Sequence, residues 1–171
     1  FVKTSGIPAN RILGTGTMLD TARFRSRIAE NYKVSQENIH GFVLGEHGDS
    51  SFVPWSLANI GSIHVDDYAR GFKAEKLPDF NKDDVEEYIR KSGGIIIKAK
   101  NCTNYGIAAT TATLCEALLY DIDTILPVST MLNGEYGISD VCLSIPTVVS
   151  KNGVKGRIEA INKLKEAGYN V

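Results

Sequence analysis

One of the three histidines in the chain lies in a stretch whose residue types suit catalysis. Residues 45–51 read GEHGDSS and follow the apolar run 39–44, where a β-strand is expected to end. An imidazole can both donate and accept a proton near neutral pH, so His47 is a candidate general acid or base. Two simpler explanations stand beside this one: His47 is an ordinary polar loop residue, or a turn residue that happens to be a histidine.

A catalytic histidine needs a partner that holds its ring and stabilises the charged form, and a buried carboxylate usually supplies this. Glu46 and Asp49 are poor candidates, because neighbours in a loop usually point away from each other. Asp20 is better placed, near the start of a predicted helix that follows a glycine-ended strand. Asp20 also completes a capping box that begins at Thr17, and the two roles can coexist.

Two arginines follow Asp20 on the same predicted helix and face different directions. Arg23 lies three residues after Asp20, so both side chains share one face. Arg25 is two residues further along, roughly 200° around the axis at ~3.6 residues per turn, and therefore faces elsewhere. A guanidinium beside a His–Asp pair can hold a substrate carboxylate by two hydrogen bonds. For each arginine taken alone, a plain surface role is the alternative.

A metal site is not predicted. His47 and Asp49, together with His40 and His64, offer nitrogen and oxygen ligands, but the sequence has no His-Glu-x-x-His motif or comparable spacing.

Composition and charge limit the possible partners. The chain has 171 residues, of which 43% are hydrophobic and 23% charged, as expected for a soluble globular domain with a real core. Its formal net charge of −1 argues against binding to nucleic acid or to a membrane surface. The three cysteines, Cys102, Cys115 and Cys142, form no Cys-x-x-Cys pair, which favours a reducing, cytoplasmic location over a disulfide framework.

The pattern of apolar residues predicts an α+β domain in which long helices pack on an antiparallel β-sheet. The predicted helices cover residues 17–32, a short segment within 52–70, 83–100, 104–121 (expected to be largely buried) and an amphipathic segment at 157–168. The predicted strands cover residues 11–16, 39–45, 123–130 and 140–150, the last two joined by an Asn-Gly turn. Gly93 and Gly94 should interrupt the third helix, each at a cost of ~1 kcal/mol relative to alanine.

Four dispersed segments resemble the L-lactate dehydrogenase family, in the same order and spacing. They are GTGTMLDTARFR, GEHGDSSFVPWS, TNYGIA and LPVSTMLNGEYGISDVCLSIPTVV, and the resemblance extends to about residue 157. The related malate dehydrogenases share the histidine motif, but usually with glycine where this chain has Glu46. Lactate is therefore the favoured substrate, and the fold expected is that of the lactate/malate dehydrogenase C-terminal domain.

The resemblance implies a role for each matching residue. His47 matches the proton donor and acceptor that protonates the 2-oxo oxygen as hydride arrives, and Asp20 matches the carboxylate that orients this imidazole. Arg23 matches the arginine that binds the substrate carboxylate. Thr103 matches a threonine beside the small side chain of the substrate, and Ile107 matches an apolar residue packed on the nicotinamide ring of NAD.

The resemblance also implies an effector site and an assembly. Allosteric bacterial members of the family bind fructose 1,6-bisphosphate at a subunit interface, and Arg25 and His40 stand at the matching positions. Cationic side chains that meet across a twofold axis repel each other unless a polyanion bridges them, which would make a switch. A surface arginine and a strand histidine are the alternative. Full-length relatives are homotetramers.

The sequence lacks the Gly-x-Gly-x-x-Gly fingerprint and the arginine of the family's mobile loop. Residues 1–171 are therefore expected to be a single substrate-binding and catalytic C-terminal domain, inactive alone. Residues 1–16 would be the last stretch of an absent domain that binds most of the NAD. Two alternatives remain. One is a malate or longer 2-hydroxy acid dehydrogenase, since Gly93 and Gly94 stand near a usual bulky aromatic. The other is an inactive fragment that acts only in subunit association.

Overall fold

The computed structural model describes residues 1–71, 77 and 81–160. Within them lie four α-helices: α1 (Met18–Tyr32), α2 (Val65–Gly71), α3 (Lys82–Lys100) and α4 (Tyr105–Leu119). The same part of the chain forms six strands: β1 (Ile39–His40), β2 (Asn59–Ile60), β3 (Ile63–His64), β4 (Thr124–Asn133), β5 (Ser139–Ser150) and β6 (Gly153–Arg157). Most of the predicted amphipathic segment at 157–168 lies outside the described residues.

The strands form two antiparallel sheets, β1–β2–β3 and β4–β5–β6. The long β4–β5 hairpin pairs Thr124 with Val149 at one end and Asn133 with Ser139 at the other. Gly134 in the connection has φ +110, a conformation that glycine adopts without strain. The hairpin predicted from the Asn-Gly signal is present, and the predicted α+β class is confirmed.

Strand β6 was not predicted from the sequence. It follows a two-residue turn, and Ser150 pairs with Gly153 and Val148 with Gly156. The sequence of this strand is short and contains two glycines, so it carries no alternating pattern that a periodicity argument could detect. Pairing with the edge of β5 decides its conformation.

Two predicted strands are shorter than expected. Residues 11–16 form a single bridge, in which Gly14 and Ser129 exchange backbone hydrogen bonds of 2.9 Å, instead of a strand. The apolar run 39–45 is a strand only over Ile39–His40. The reason is visible at Val43, whose N–H donates to Thr21 Oγ1 at 2.9 Å and whose carbonyl accepts from Thr17 Oγ1 at 2.5 Å. The hydroxyls of Thr17 and Thr21 thus bind the backbone groups of Val43 that would otherwise pair with a neighbouring strand.

The predicted capping box at the start of α1 is wrong. Thr17 is the N-cap residue, but its hydroxyl makes no capping hydrogen bond and binds Val43 instead. The Thr17 N–H donates to Ser144 Oγ at 3.1 Å, so it is not available to Asp20. The N–H and the hydroxyl of Thr17 therefore bind the start of α1 to neighbouring segments. The Asp20 carboxylate is left for other partners.

Helix α1 is the central element of the larger core. Phe24 and Ile28 are fully buried and contact a cluster of apolar side chains from α3 and the small sheet. Burial of such side chains stabilises the fold by roughly 1.5–3 kcal/mol each. The position of every other group on α1 is therefore fixed by this packing.

The two later helices differ from expectation. Helix α3 runs without interruption through Gly93 and Gly94, because its first half is anchored by the buried Val85, Ile89 and Ser92. Helix α4 was predicted to be largely buried, and this is wrong. Its buried residues are Thr110, Leu114 and Ala117, and its other faces meet no described element that would cover them.

Gly16 precedes α1 in a conformation that should not tolerate a side chain. Its φ is +49, and an added Cβ would overlap Ser144 Oγ and the amide nitrogen of Ser129. We expect Gly16→Ala to lower the free energy of unfolding by more than about 1 kcal/mol. Gly156→Ala is the control, since its Cβ would meet open space. Urea denaturation of both variants checks this, and equal midpoints would contradict it.

Candidate active site

The loop that carries His47 is closed by backbone pairing at its two ends. Leu44 and Phe52 exchange hydrogen bonds of 2.9 and 3.2 Å. Gly45 exchanges a second pair, of 2.9 and 2.8 Å, with Ser144 of β5. Residues 46–51 thus form a short loop whose ends are fixed by these hydrogen bonds. The fixed ends hold His47 next to the first turn of α1.

His47 binds the carboxylate of Asp20. The distance between His47 Nδ1 and Asp20 Oδ2 is 2.5 Å. A carboxylate can only accept, so the Nδ1–H group donates and the Nε2 nitrogen is left for a substrate. The Asp20 side chain is 5% exposed, whereas that of His47 is 61% exposed. A buried acceptor therefore orients an imidazole that solvent or a ligand can reach.

Arg23 binds the other oxygen of the same carboxylate. Its Nη1 donates to Asp20 Oδ1 at 3.0 Å, and its side chain is 14% exposed. The i, i+3 spacing on α1 brings the two side chains together, as the shared helix face requires. Asp20 thus holds a histidine on one oxygen and an arginine on the other, and the three groups form one connected unit.

This unit forms part of the wall of a cavity of about 340 Å³. The cavity is also lined by residues before α1, in the His47 loop and on α3. Thr103, just before α4, and Ile107, in the first turn of α4, line it as well. Thr103 is exposed and Ile107 is 37% exposed. The structure thus brings Asp20, Arg23, His47, Thr103 and Ile107 to a single site.

Arg25 and His40 lie outside this cavity. The Arg25 guanidinium donates from Nε and Nη2 to the carbonyl of Gly41, both at 3.3 Å, and lies 5.5 Å from the Phe42 ring centroid. Burial lowers the pKa of Arg25 from its usual value. His40 is exposed on β1. Arg25 lines a separate cavity of about 240 Å³ with Gln36 and Phe42.

Arg90 is a cavity residue that the sequence analysis did not identify. Its Nη1 donates to the Ser51 carbonyl at 3.3 Å and to Glu86 Oε2 at 3.1 Å. Glu86 also accepts from Trp55 Nε1 at 2.7 Å. The i, i+4 pair of Glu86 and Arg90 is visible in the sequence, but only the tertiary structure shows that it ties α3 to the end of the His47 loop.

In the described part of the chain, no group of three or more His, Cys, Asp and Glu side chains is arranged to hold a metal ion. Among the same residues, no helix has the length and apolar character required to cross a membrane.

The family described as lactate/malate dehydrogenase, alpha/beta C-terminal domain, matches residues 17–169. The chain belongs to this family. The family predicted from the four sequence segments is therefore confirmed. L-lactate dehydrogenase 2 of Clostridium acetobutylicum is 47% identical to the chain over 152 residues. L-lactate dehydrogenase of Acetivibrio thermocellus is 42% identical over 154 residues.

Solved structures of lactate dehydrogenases share the fold of this family member. A lactate dehydrogenase from a Medee basin deep-sea metagenome library matches with a TM-score of 0.90 at 33% identity, over 97% of this chain and 52% of that one. The ligand-bound minor L-lactate dehydrogenase of Enterococcus mundtii matches with a TM-score of 0.87 at 37% identity, over 97% and 52%. The two curated relatives are matched over 89% and 90% of this chain, but 47% and 48% of their own length. The chain thus spans about half the length of these relatives.

Asp20 should contribute more to stability than an exposed aspartate in the same local arrangement. Asp20→Asn leaves the nearly buried Arg23 without its anionic partner, and we expect a loss of about 2–3 kcal/mol in the free energy of unfolding. Asp67 pairs with Arg70 at the same spacing on α2, but these side chains are 61% and 74% exposed. Asp67→Asn should therefore cost less than about 1 kcal/mol. Chemical denaturation compares the two, and similar losses would contradict the expected role of burial.

Proposed function

We propose that the intact protein containing this chain is an NAD-dependent L-lactate dehydrogenase that interconverts pyruvate and L-lactate. The observation that carries the proposal is the unit of His47, Asp20 and Arg23 in one cavity. This unit supplies a proton donor, a group that orients it and a cation for a carboxylate within a few ångströms of each other. A 2-oxo acid needs these same functions for reduction at its second carbon.

His47 is the proton donor and acceptor in this proposal. In the direction of reduction, the doubly protonated ring donates the proton on Nε2 to the 2-oxo oxygen, and the ring is left neutral with its Nδ1–H on Asp20. The buried carboxylate accepts from Nδ1 and fixes the orientation of the ring throughout. In the direction of oxidation, the neutral Nε2 accepts the hydroxyl proton of lactate.

Arg23 is the anchor for the substrate carboxylate. Its Nη1 contacts Asp20, and a planar guanidinium offers further N–H groups that can form a two-pronged pair with a second carboxylate. The anchor and the proton donor are attached to the same aspartate, so their separation is fixed. Thr103 then lies beside the substituent on the second carbon of the substrate.

The cavity also offers an apolar surface that fits a nicotinamide. Leu19 and Ile107 line the cavity, and Ile107 keeps part of its side chain exposed. When bound, the cofactor would supply the hydride as NADH in the direction of reduction and accept it as NAD⁺ in the direction of oxidation. In this chain Ile107 is proposed to contact the nicotinamide ring, while the rest of the dinucleotide is held by protein outside these residues.

Glu46 supports lactate rather than malate as the substrate, because the related malate dehydrogenases usually have glycine at the matching position. We further propose a cytoplasmic homotetramer for the intact protein. Three free, exposed cysteines support the location, and apolar side chains exposed on α3 and α4 support association.

His47→Asn tests the proton-transfer role in the intact protein. We expect kcat for pyruvate reduction to fall by about 10²–10⁴-fold, because an amide cannot donate the proton at neutral pH. The circular dichroism spectrum and melting temperature should stay close to those of the unmodified protein, since the ring of His47 is mostly exposed.

His64→Asn is the matched control for this test. His64 is partly buried, with Nε2 3.1 Å from the Trp55 carbonyl, and does not line the cavity. The control should keep kcat within a few-fold of the unmodified protein. If His47→Asn keeps full activity, His47 is not the proton donor.

Arg25 and His40 are proposed to bind fructose 1,6-bisphosphate between subunits. The hydrogen bonds from Arg25 Nε and Nη2 to the Gly41 carbonyl hold the guanidinium next to the residue that follows His40, which supports the proposal that Arg25 and His40 bind one phosphate group. The bisphosphate should lower KM for pyruvate in the intact protein. Arg25→Gln should abolish the response, because the amide side chain cannot neutralise a phosphate.

Arg27→Gln controls for general loss of positive charge on α1. Arg27 pairs with Glu30 and its side chain is 47% exposed. This variant should retain the response to the bisphosphate. An unmodified protein whose KM is insensitive to the bisphosphate would refute the effector site without affecting the proposed catalytic role of His47.

A further inference from the structure

Two consecutive glycines in the middle of α3 form part of the cavity wall. Gly93 is partly buried and Gly94 is exposed, and both line the cavity that contains His47 and Arg23. Adjacent helix positions point about 100° apart, so Gly93 and Gly94 border different parts of the cavity. Here both positions contribute only backbone, and the wall is set back from the cavity at this point.

Nothing in the local backbone requires glycine at these positions. Both residues lie inside the continuous helix α3, and neither has a positive φ. An added Cβ would meet no atom within 4 Å at either position, so close packing does not require glycine either. Glycine weakens a helix interior relative to alanine. The glycines therefore reduce helix stability, and the feature they provide is space in the cavity.

The remaining contacts indicate which part of a substrate would use this space. Arg23 takes the carboxylate and His47 the 2-oxo oxygen, which leaves the side chain of the acid to be accommodated. Ile97, one turn after Gly93 on the same helix, adds an apolar group to the wall. Arg90, one turn before, is bound to Glu86 and to the Ser51 carbonyl. The stretch of the wall from Gly93 to Ile97, beyond this bound guanidinium, therefore suits an apolar substituent.

The cavity of about 340 Å³ would hold the nicotinamide ring as well as the acid, so its volume alone does not set the size of the acid. The room beside the substrate comes from the wall that is set back at Gly93 and Gly94. Pyruvate carries only a methyl group beside its 2-oxo carbon. A longer or branched side chain would make use of surface that a methyl group leaves uncontacted.

We propose that Gly93 and Gly94 are specificity-determining residues that adapt this site to 2-oxo acids with longer or branched apolar side chains. The inference rests on the proposed 2-oxo acid reductase function and narrows its substrate class. The glycines act by leaving room beside Arg23 and His47, and the same anchoring and proton transfer then apply to the larger acid.

The test compares pyruvate with 4-methyl-2-oxopentanoate in the intact protein, using kcat/KM for each. The unmodified protein should reduce the larger acid at least as efficiently as pyruvate. Gly94→Tyr should lower the ratio of kcat/KM for 4-methyl-2-oxopentanoate to kcat/KM for pyruvate by about 10–200-fold. This is the range expected when a pocket loses room for one or more methylene groups. Gly93→Ala should lower the ratio by a smaller factor.

Lys98→Tyr is the matched control, because it places the same aromatic on α3, one turn after Gly94, at an exposed position that does not line the cavity. This variant should keep the ratio of the unmodified protein. Oxaloacetate is assayed in parallel, and a preference for this dicarboxylate would overturn the apolar assignment.

The outcomes separate the two proposals. If pyruvate is reduced but the larger acid is not, or if Gly94→Tyr leaves the ratio unchanged, the inference is wrong and the proposed function stands. If none of the three acids is reduced, the proposed function fails and the inference fails with it.

Discussion

The site depends on the attachment of one backbone segment to one helix. Thr17 and Thr21, one turn apart on α1, bind the carbonyl and the N–H of Val43 with hydrogen bonds of 2.5 and 2.9 Å. These groups are buried, so each hydrogen bond replaces a contact with water that folding removes, and losing one would leave an unsatisfied polar group. Asp20 lies between the two threonines on α1, and His47 follows Val43 by four residues. The attachment therefore places the carboxylate next to the imidazole.

The Asp20 carboxylate then combines two functions in one group. Its two oxygens bind a histidine and an arginine, so the groups proposed as proton donor and carboxylate anchor are held by the same side chain. A buried carboxylate would be costly without partners, and these two partners satisfy it. A displacement of α1 would therefore move Arg23 and Asp20 together, and the distance between these two side chains would stay the same.

The sequence predicts the local parts of this arrangement better than the contacts between distant segments. The i, i+3 relation of Asp20 and Arg23 and the β4–β5 hairpin follow from periodicity and turn chemistry, which are local. The capping box at Thr17 failed because its polar groups bind Val43 and Ser144, which lie 26 and 127 residues away. His47 was a candidate from the residue types of its own loop, whereas only the resemblance to a family brought Thr103 and Ile107 into consideration, since no helix or strand spacing relates them to His47. Arg90 was missed for the same reason: its partner Ser51 lies 39 residues away.

The two walls of the cavity differ in how firmly they are held. The wall that carries Asp20 and Arg23 belongs to α1, whose Phe24 and Ile28 are fully buried in the core. The opposite wall belongs to the second half of α3, where burial ends at Ser92 and the residues that follow are largely exposed. Substitutions on α1 would disturb packing as well as chemistry, because a close-packed interior transmits changes in volume. Substitutions at Gly93 and Gly94 would change the shape of the cavity without a buried neighbour to displace. In the proposed function, the acid–base chemistry therefore belongs to the rigid wall, and the selection of the substrate side chain belongs to the wall that can vary.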